Sequence, residues 1–524
     1  MSTSDGHGAT AAAATTGRSV LSGGAWNAAG MLLPQVQLVV LSVVAARALG
    51  PTDMGRQSFI AFVEFAVVAL MTSGFAQAVM RAVGEAVGAD RPDSARYLVS
   101  WAMRVAAVLA AVGTVPLLVL AAARPELRLA WVLAAAALVF LVLQTIPAGV
   151  LAGLQRWREV TVIGLVTGFS AAAATVTVLL AGGGITGIFA VEVPIAFISF
   201  AWAAQRARSA LNALSSEAVP DLDLRRRTTR YALATSVQGV VGLIVWRRSE
   251  FIALERYATP AELAQYSIAF ATFTAVARIP EALVSAFTSA VATLHGAGAT
   301  ERIRVGYGRA LRLVFAASVV LTAGVVALGP AAIDVLYGDG YEEAGAVLVI
   351  MTLFFVFNSP AQVGSGMLVG LGQWRAPLVA SSTAAAVDVA AAVALVPTYG
   401  ARGAAVANGL AMLTVGIILG VGARREIGPV PWHVGHLARV GLAALVAAVA
   451  GWLVVEALPG LGGVLVGGIL MLVILTVLGR VLRAVHRDDL EWMHGAAGDR
   501  LGGLIGRAVA LLGGGAPAAA PAGR

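Results

Sequence analysis

Apolar residues in this chain run in unbroken blocks of about 20 positions, separated by short clusters of Arg, Asp, Glu, Gly and Pro. A soluble helix carries an apolar stripe and a soluble strand alternates, whereas these blocks are apolar all round, as a helix immersed in hydrocarbon must be. About 20 residues at 1.5 Å rise each cross the roughly 30 Å of a bilayer core. The pattern predicts six spans at 21–45, 57–79, 97–120, 129–151, 160–180 and 185–203. Six more follow at 231–254, 266–291, 311–328, 344–369, 378–396 and 403–421, and a last pair lies at 440–458 and 461–482. The fold class is therefore an all-α polytopic membrane protein of about 14 helices. The first block is too long for the apolar core of a cleaved leader and is read as the first span.

Composition agrees and excludes whole classes of function. The 524 residues are 59% hydrophobic and 12% charged, while a soluble domain carries about 25% charged residues to cover its surface. Soluble enzymes are excluded on that ground. The net charge of +8 comes from Arg scattered between apolar blocks, with no basic stripe interleaved with aromatics, so no nucleic-acid partner is expected. All 36 basic residues are Arg, which fits a GC-rich bacterium. Without Cys, and with six scattered His, neither a metal site nor a cofactor is expected. No Lys exists to complete a phosphate-binding loop of the Walker type.

Arg placement predicts orientation. With the N terminus inside, about 26 Arg fall in cytoplasmic segments and about 6 outside, so both termini are expected in the cytoplasm of a multi-pass cell-membrane protein. The expected organisation is a cytoplasmic tail (1–20), a six-helix half (21–204), a cytoplasmic Arg-rich linker (205–230), a second six-helix half (231–421), an extra helix pair (422–482) and a partly disordered cytoplasmic tail (483–524).

The two halves repeat in sequence. Leu151 to Arg158, LAGLQRWR, recurs as LVGLGQWR from Leu368 to Arg375, and Gly184-Ile-Thr-Gly187 recurs as Gly400-Ala-Arg-Gly403. More weakly, Arg47, Pro51, Asp53 and Ser58 match Arg256, Pro260, Glu262 and Ser267. Matches between equivalent loops predict a parallel pseudo-two-fold repeat about an axis along the membrane normal, an arrangement that places a substrate cavity centrally.

Four segments carry a family resemblance: Arg47 to Gly55, Arg248-Ser249-Glu250, Leu336 to Ala344, and Pro397 to Ala407. Together, over roughly 20–425, they resemble the polysaccharide-transporter branch of the multidrug/oligosaccharidyl-lipid/polysaccharide exporter superfamily. The extra helix pair also resembles the lipid II flippase branch. The resemblance implies a flippase, not an enzyme, that translocates a polyprenyl-diphosphate-linked oligosaccharide by alternating access for cell-surface polysaccharide such as lipopolysaccharide O-antigen or exopolysaccharide. Its partners would be the lipid-linked glycan and membrane lipids, and one chain would suffice as a monomer. An ion-coupled multidrug exporter and a membrane glycosyltransferase or polymerase are the alternatives.

Charge inside a span is expensive and so marks candidate sites. Guanidinium binds phosphate through paired donors and stays charged when desolvated, which makes Arg248, Arg278, Arg81 and Arg247 candidates for the diphosphate head group. Glu250, three residues after Arg247, is positioned to support it. A carboxyl enclosed in a bundle can take up or release a proton, or bind Na+, as the protein changes conformation. Asp388, Glu64 and Glu192 are the candidates for H+ or Na+ coupling, and Gln37 and Asn358 are read as interhelical hydrogen-bond formers.

Overall fold

Two helices in this protein are far too long to cross a bilayer once. The computed structural model describes residues 6–214, 217–246, 250–296, 298–373, 375–428 and 434–482, and every regular element among them is helical. The stretch Gln37–Gly88 of α1 (Gly6–Gly88) has 52 residues and α11 (Arg375–Ile427) has 53. At 1.5 Å per residue each runs about 78 Å, more than twice the hydrocarbon thickness. Each is broken at a glycine outside the helical region of backbone space: Gly50 at φ 74, ψ 171 and Gly400 at φ 52, ψ −130. A residue with a Cβ is strained at such angles, so glycine is what permits the reversal.

The other elements are α2 (Pro92–Ala123), α3 (Arg128–Gly153), α4 (Trp157–Leu180), α5 (Gly184–Leu214), α6 (Leu222–Trp246), α7 (Glu250–Tyr257), α8 (Pro260–Gly296), α9 (Thr300–Tyr337), α10 (Glu342–Gly370), α12 (Val434–Ala457) and α13 (Leu461–Val481). By length and apolar character nine helices among the described residues qualify as membrane spans, or ten when Glu342–Asn358 and Pro360–Gly370, bent by 43°, count as one. That count falls short of fourteen, partly because α1 and α11 each enter once despite their glycine breaks. In addition α6, with Arg225, Arg226, Arg227 and Arg230, and α8, with Arg278 and Glu281, do not qualify.

The chain divides into two compact units, Met1–Phe251 and Ile252–Arg524. In the first, Gly149 and Gly153 of α3 lie directly on α1, where a side chain would meet the carbonyls of Ala76 and Met80. In the second, Gly366 and Gly370 of α10 lie on α8 against Val284, Thr288 and Val291 in the same way. Lipid tails are as apolar as the helices, so association relies on close approach, and small residues one turn apart allow it.

The segments that repeat in sequence also repeat in local hydrogen bonding. After α3, the amides of Leu154, Gln155 and Arg156 donate to the carbonyls of Val150, Ala152 and Leu151 at 2.9, 3.0 and 2.8 Å. After α10, Leu371, Gly372 and Gln373 donate to Met367, Val369 and Leu368 at 2.9, 2.9 and 2.8 Å. Gln155 and Gly372, at matching positions, have φ of 59 and 77, and Gly184 and Gly400, matched in the second repeat, have φ of 57 and 52. Where α8 begins, Thr259 and Glu262 form a reciprocal cap: the Thr259 amide donates to Glu262 Oε2 at 3.0 Å, and the Glu262 amide to Thr259 Oγ1 at 3.3 Å.

A Cβ at Gly400 would collide with the Glu262 carboxylate besides straining the backbone. Gly400→Ala is therefore expected to cost on the order of 1–3 kcal/mol, seen as a lower melting temperature. Gly420→Ala, on an open stretch of the same helix, should leave the melting temperature unchanged or slightly raised. Equal melting of the two variants would contradict this account of the break.

Candidate functional site

One cluster of charged side chains in the first unit lies where α1 ends and α6 begins. Asp221 caps α6: its Oδ1 accepts from the Leu224 amide at 2.8 Å and its Oδ2 pairs with Arg91 Nη1 at 3.1 Å. Leu224, fully buried, packs against Ala82 and Ala86 of α1 and Ala95 and Leu98 of α2, which sets the rotation of α6. Residues three, four and seven positions on share that face, so Arg227, Thr228 and Tyr231 turn toward the end of α1. There they meet Arg81 and Glu85, and with Arg230 they line a cavity of about 540 Å³. The Arg81 guanidinium sits 4.8 Å from the centre of the Tyr231 ring, and Arg227 Nη1 is 3.2 Å from Glu85 Oε1. Three guanidinium groups against one carboxylate leave the cavity cationic. An adjoining cavity of about 600 Å³ shares Arg227 and Arg230 and adds Arg91, Arg226, Asp221 and Asp223.

Of the residues expected to bind a head group, Arg81 lies in this cavity. Arg227, Arg230 and Tyr231 were not singled out, because arginines in a linker read as topogenic charge. Glu85 is four residues from Arg81 but pairs with Arg227, 142 positions away, which local spacing cannot reveal. Arg278 of α8 lies in the second unit and is engaged within its own helix, its Nη1 2.7 Å from Glu281 Oε2 with both side chains about one-third exposed. Arg247 and Arg248 lie outside the described residues. Glu250 stands at the start of α7 and is 1% exposed.

The acidic candidates fall in two places. Glu64, buried on α1, and Glu192, two residues before Pro194 on α5, bring their carboxyls close together in the first unit. Two carboxyls held side by side away from water repel as anions, so the pair is a place where a proton can be held. Asp388 of α11, in the second unit, is fully buried on a face otherwise made of Ala380, Ala384, Ala392 and Val396. Among the neutral polar residues, Gln37 Nε2 donates to the Gly168 carbonyl at 2.7 Å and so ties α1 to α4. Gln265 was overlooked: its amide donates to the Gly340 carbonyl at 2.6 Å while its oxygen accepts from the Ala344 amide at 2.9 Å, holding α8 to the turn between α9 and α10.

Comparison with known proteins assigns the family. Residues 20–293, over half the chain, match the model described as "Polysaccharide biosynthesis protein". The chain belongs to that family. Residues 251–394 match the MatE model. Among solved structures, a lipid II flippase, MurJ, in an inward closed conformation superposes with a TM-score of 0.67 at 12% identity, covering 87% of this chain and 98% of the flippase. An inward-facing multidrug resistance MATE family transporter of the MOP superfamily gives 0.66 at 13% identity, covering 77% of this chain and 97% of the transporter. The search of curated proteins found no match. The family member described here is thus a multi-pass membrane protein with the MOP-superfamily fold.

The carboxyl contact makes a stability prediction. Glu64→Gln keeps a polar group of the same shape beside Glu192, so unfolding should stay close to that of the wild type, whereas Glu64→Val removes the polar neighbour of a carboxyl within the bundle and should lose about 1–3 kcal/mol. Thermal unfolding in detergent measures both, and equal stability of the two variants would mean that the contact holds nothing together.

Proposed function

We propose that this protein is a flippase that carries a polyprenyl-diphosphate-linked oligosaccharide across the cytoplasmic membrane by alternating access, with both termini in the cytoplasm. The observation that carries the reading is the cationic cavity of Arg81, Arg227 and Arg230 at the arginine-rich end of the first unit, the end that this orientation makes cytoplasmic. A diphosphate and a hydroxyl-rich glycan cannot enter hydrocarbon unaided, while a polyprenyl tail stays in it. No covalent step is needed: binding must exchange water for fixed donors, and a conformational change must move the filled site. Arg81, held by the Tyr231 ring, presents its paired donors to the head group, and Arg227 exchanges the Glu85 carboxylate for a phosphate oxygen. Arg278, with Arg247 and Arg248, serves later along the path. The Glu64–Glu192 contact and Asp388 couple the cycle to H+ or Na+, and one chain suffices. The fold shared with MurJ, a lipid II flippase, is consistent with a lipid-linked substrate, and membership of the polysaccharide biosynthesis family supports a glycan one.

The MatE match over 251–394 favours a second reading, an ion-coupled multidrug exporter. A cavity with three guanidinium groups repels organic cations, which places this reading second.

Vesicles reconstituted with a fluorescent polyprenyl-diphosphate disaccharide test the proposal through accessibility of the label in each leaflet. Charge-assisted hydrogen bonds contribute about 1.5–3 kcal/mol each, so Arg81→Ala and Arg227→Ala should each slow flipping roughly tenfold or more, with Arg81→Lys in between. Glu85→Gln frees Arg227 and should tighten head-group binding. Unaltered flipping in both alanine variants would remove the cavity from the path, and export of organic cations without lipid flipping would favour the second reading.

A further inference from the structure

A second cationic groove lies in the first unit away from the cavity at Arg81. It is formed where α2 passes α5 above Pro147 of α3, has a volume of about 430 Å³, and contains three arginines, Arg96, Arg104 and Arg208, with no carboxylate in its lining. Arg96 Nη1 is anchored on Asn212 Oδ1 at 2.7 Å. Arg104 and Arg208 are exposed, and neither forms an ion pair with a carboxylate among the described residues. Arg96 lies near the start of α2, and Arg208 and Asn212 near the end of α5, so both helices bring these groups to one end of the unit. Arg104 is eight residues further along α2, about 12 Å deeper at helical rise. At that depth along an apolar helix an uncompensated guanidinium is disfavoured, and an anion is its natural partner. Between the arginines the wall is apolar, made by Val99, Met103, Ala107 and Leu211.

We infer that this groove binds an anionic phospholipid, with the phosphodiester on Arg104 and Arg208 and an acyl chain along the apolar wall. A free phosphate has no use for the apolar wall or for an arginine set that deep, whereas a phospholipid uses both at once. Arg104 then becomes a ligand of the membrane itself. The inference places the groove in the inner leaflet and in that respect rests on the orientation proposed above.

The experiment is native mass spectrometry of the purified, delipidated full chain titrated with phosphatidylglycerol or phosphatidylcholine. The wild type should retain phosphatidylglycerol roughly tenfold more tightly than phosphatidylcholine, and Arg104→Gln/Arg208→Gln should abolish the difference. Ala107→Trp fills the groove without altering charge and should do the same, which keeps the test sound if the double variant inserts poorly. Arg302→Gln/Arg425→Gln, exposed arginines elsewhere, should change nothing. Wild-type retention in both groove variants, equal binding of the two lipids, or equal loss in the Arg302/Arg425 control would overturn the inference. So would displacement of the lipid by millimolar inorganic phosphate, which would mark a free-phosphate site, or displacement by polyprenyl diphosphate, which would mark a substrate site. The readout needs no flipping, so failure of the transport proposal would leave it standing.

Discussion

Hydrocarbon offers no water to satisfy a polar group, and most of this structure is a response to that fact. The backbone is closed into helices, and the reversals at Gly50 and Gly400 use glycine because the path there is not helical. Helix contacts cannot rely on excluding water, so they rely on close approach, with Gly149 and Gly153 seated on α1 and Gly366 and Gly370 on α8. Arg278 is compensated by Glu281 one turn on, and the carboxyls of Glu64 and Glu192 come together from different helices. Where like charges gather without enough opposite ones, as around Arg81, the surplus is functional capacity, because a ligand can supply the missing charge.

The cavity at Arg81 is built by ordinary means. An aspartate caps α6, a buried leucine fixes its rotation, and the helical period brings Arg227, Thr228 and Tyr231 onto the end of α1. The guanidinium groups are held by partners they can surrender: an aromatic face for Arg81 and a solvent-exposed carboxylate for Arg227. Such groups hold position without a ligand and, on the proposed function, exchange partners for a phosphate at small cost, because an exposed ion pair contributes little to stability. A site that must bind and then release needs that balance.

Much of the fold was legible in the sequence because membrane constraints act on consecutive residues. Runs of 20 apolar positions mark helices, and LAGLQRWR and LVGLGQWR predicted equivalent turns, which share one hydrogen-bond pattern down to the left-handed Gln155 and Gly372. The site was less legible because its partners are distant in sequence. Arg227 meets Glu85 and Glu64 meets Glu192 across more than a hundred residues, and no spacing rule covers that. Topogenic arginines and those proposed to bind a ligand also look alike as letters: Arg227 and Arg230 sat in a linker whose charge already had an explanation. Arg278 shows the converse, since Glu281 at i+3 was visible in the sequence and is its partner in the structure.

The central claim is that this protein recognises the charged head of a lipid-linked substrate through Arg81, Arg227 and Arg230. Its most direct measurement is equilibrium binding of a polyprenyl diphosphate, the corresponding monophosphate and the uncharged polyprenol to the purified full chain. The account predicts affinity falling in that order for the wild type and the order collapsing in Arg81→Ala/Arg227→Ala; equal affinity for all three lipids in the wild type, or an intact order in the double variant, would contradict it.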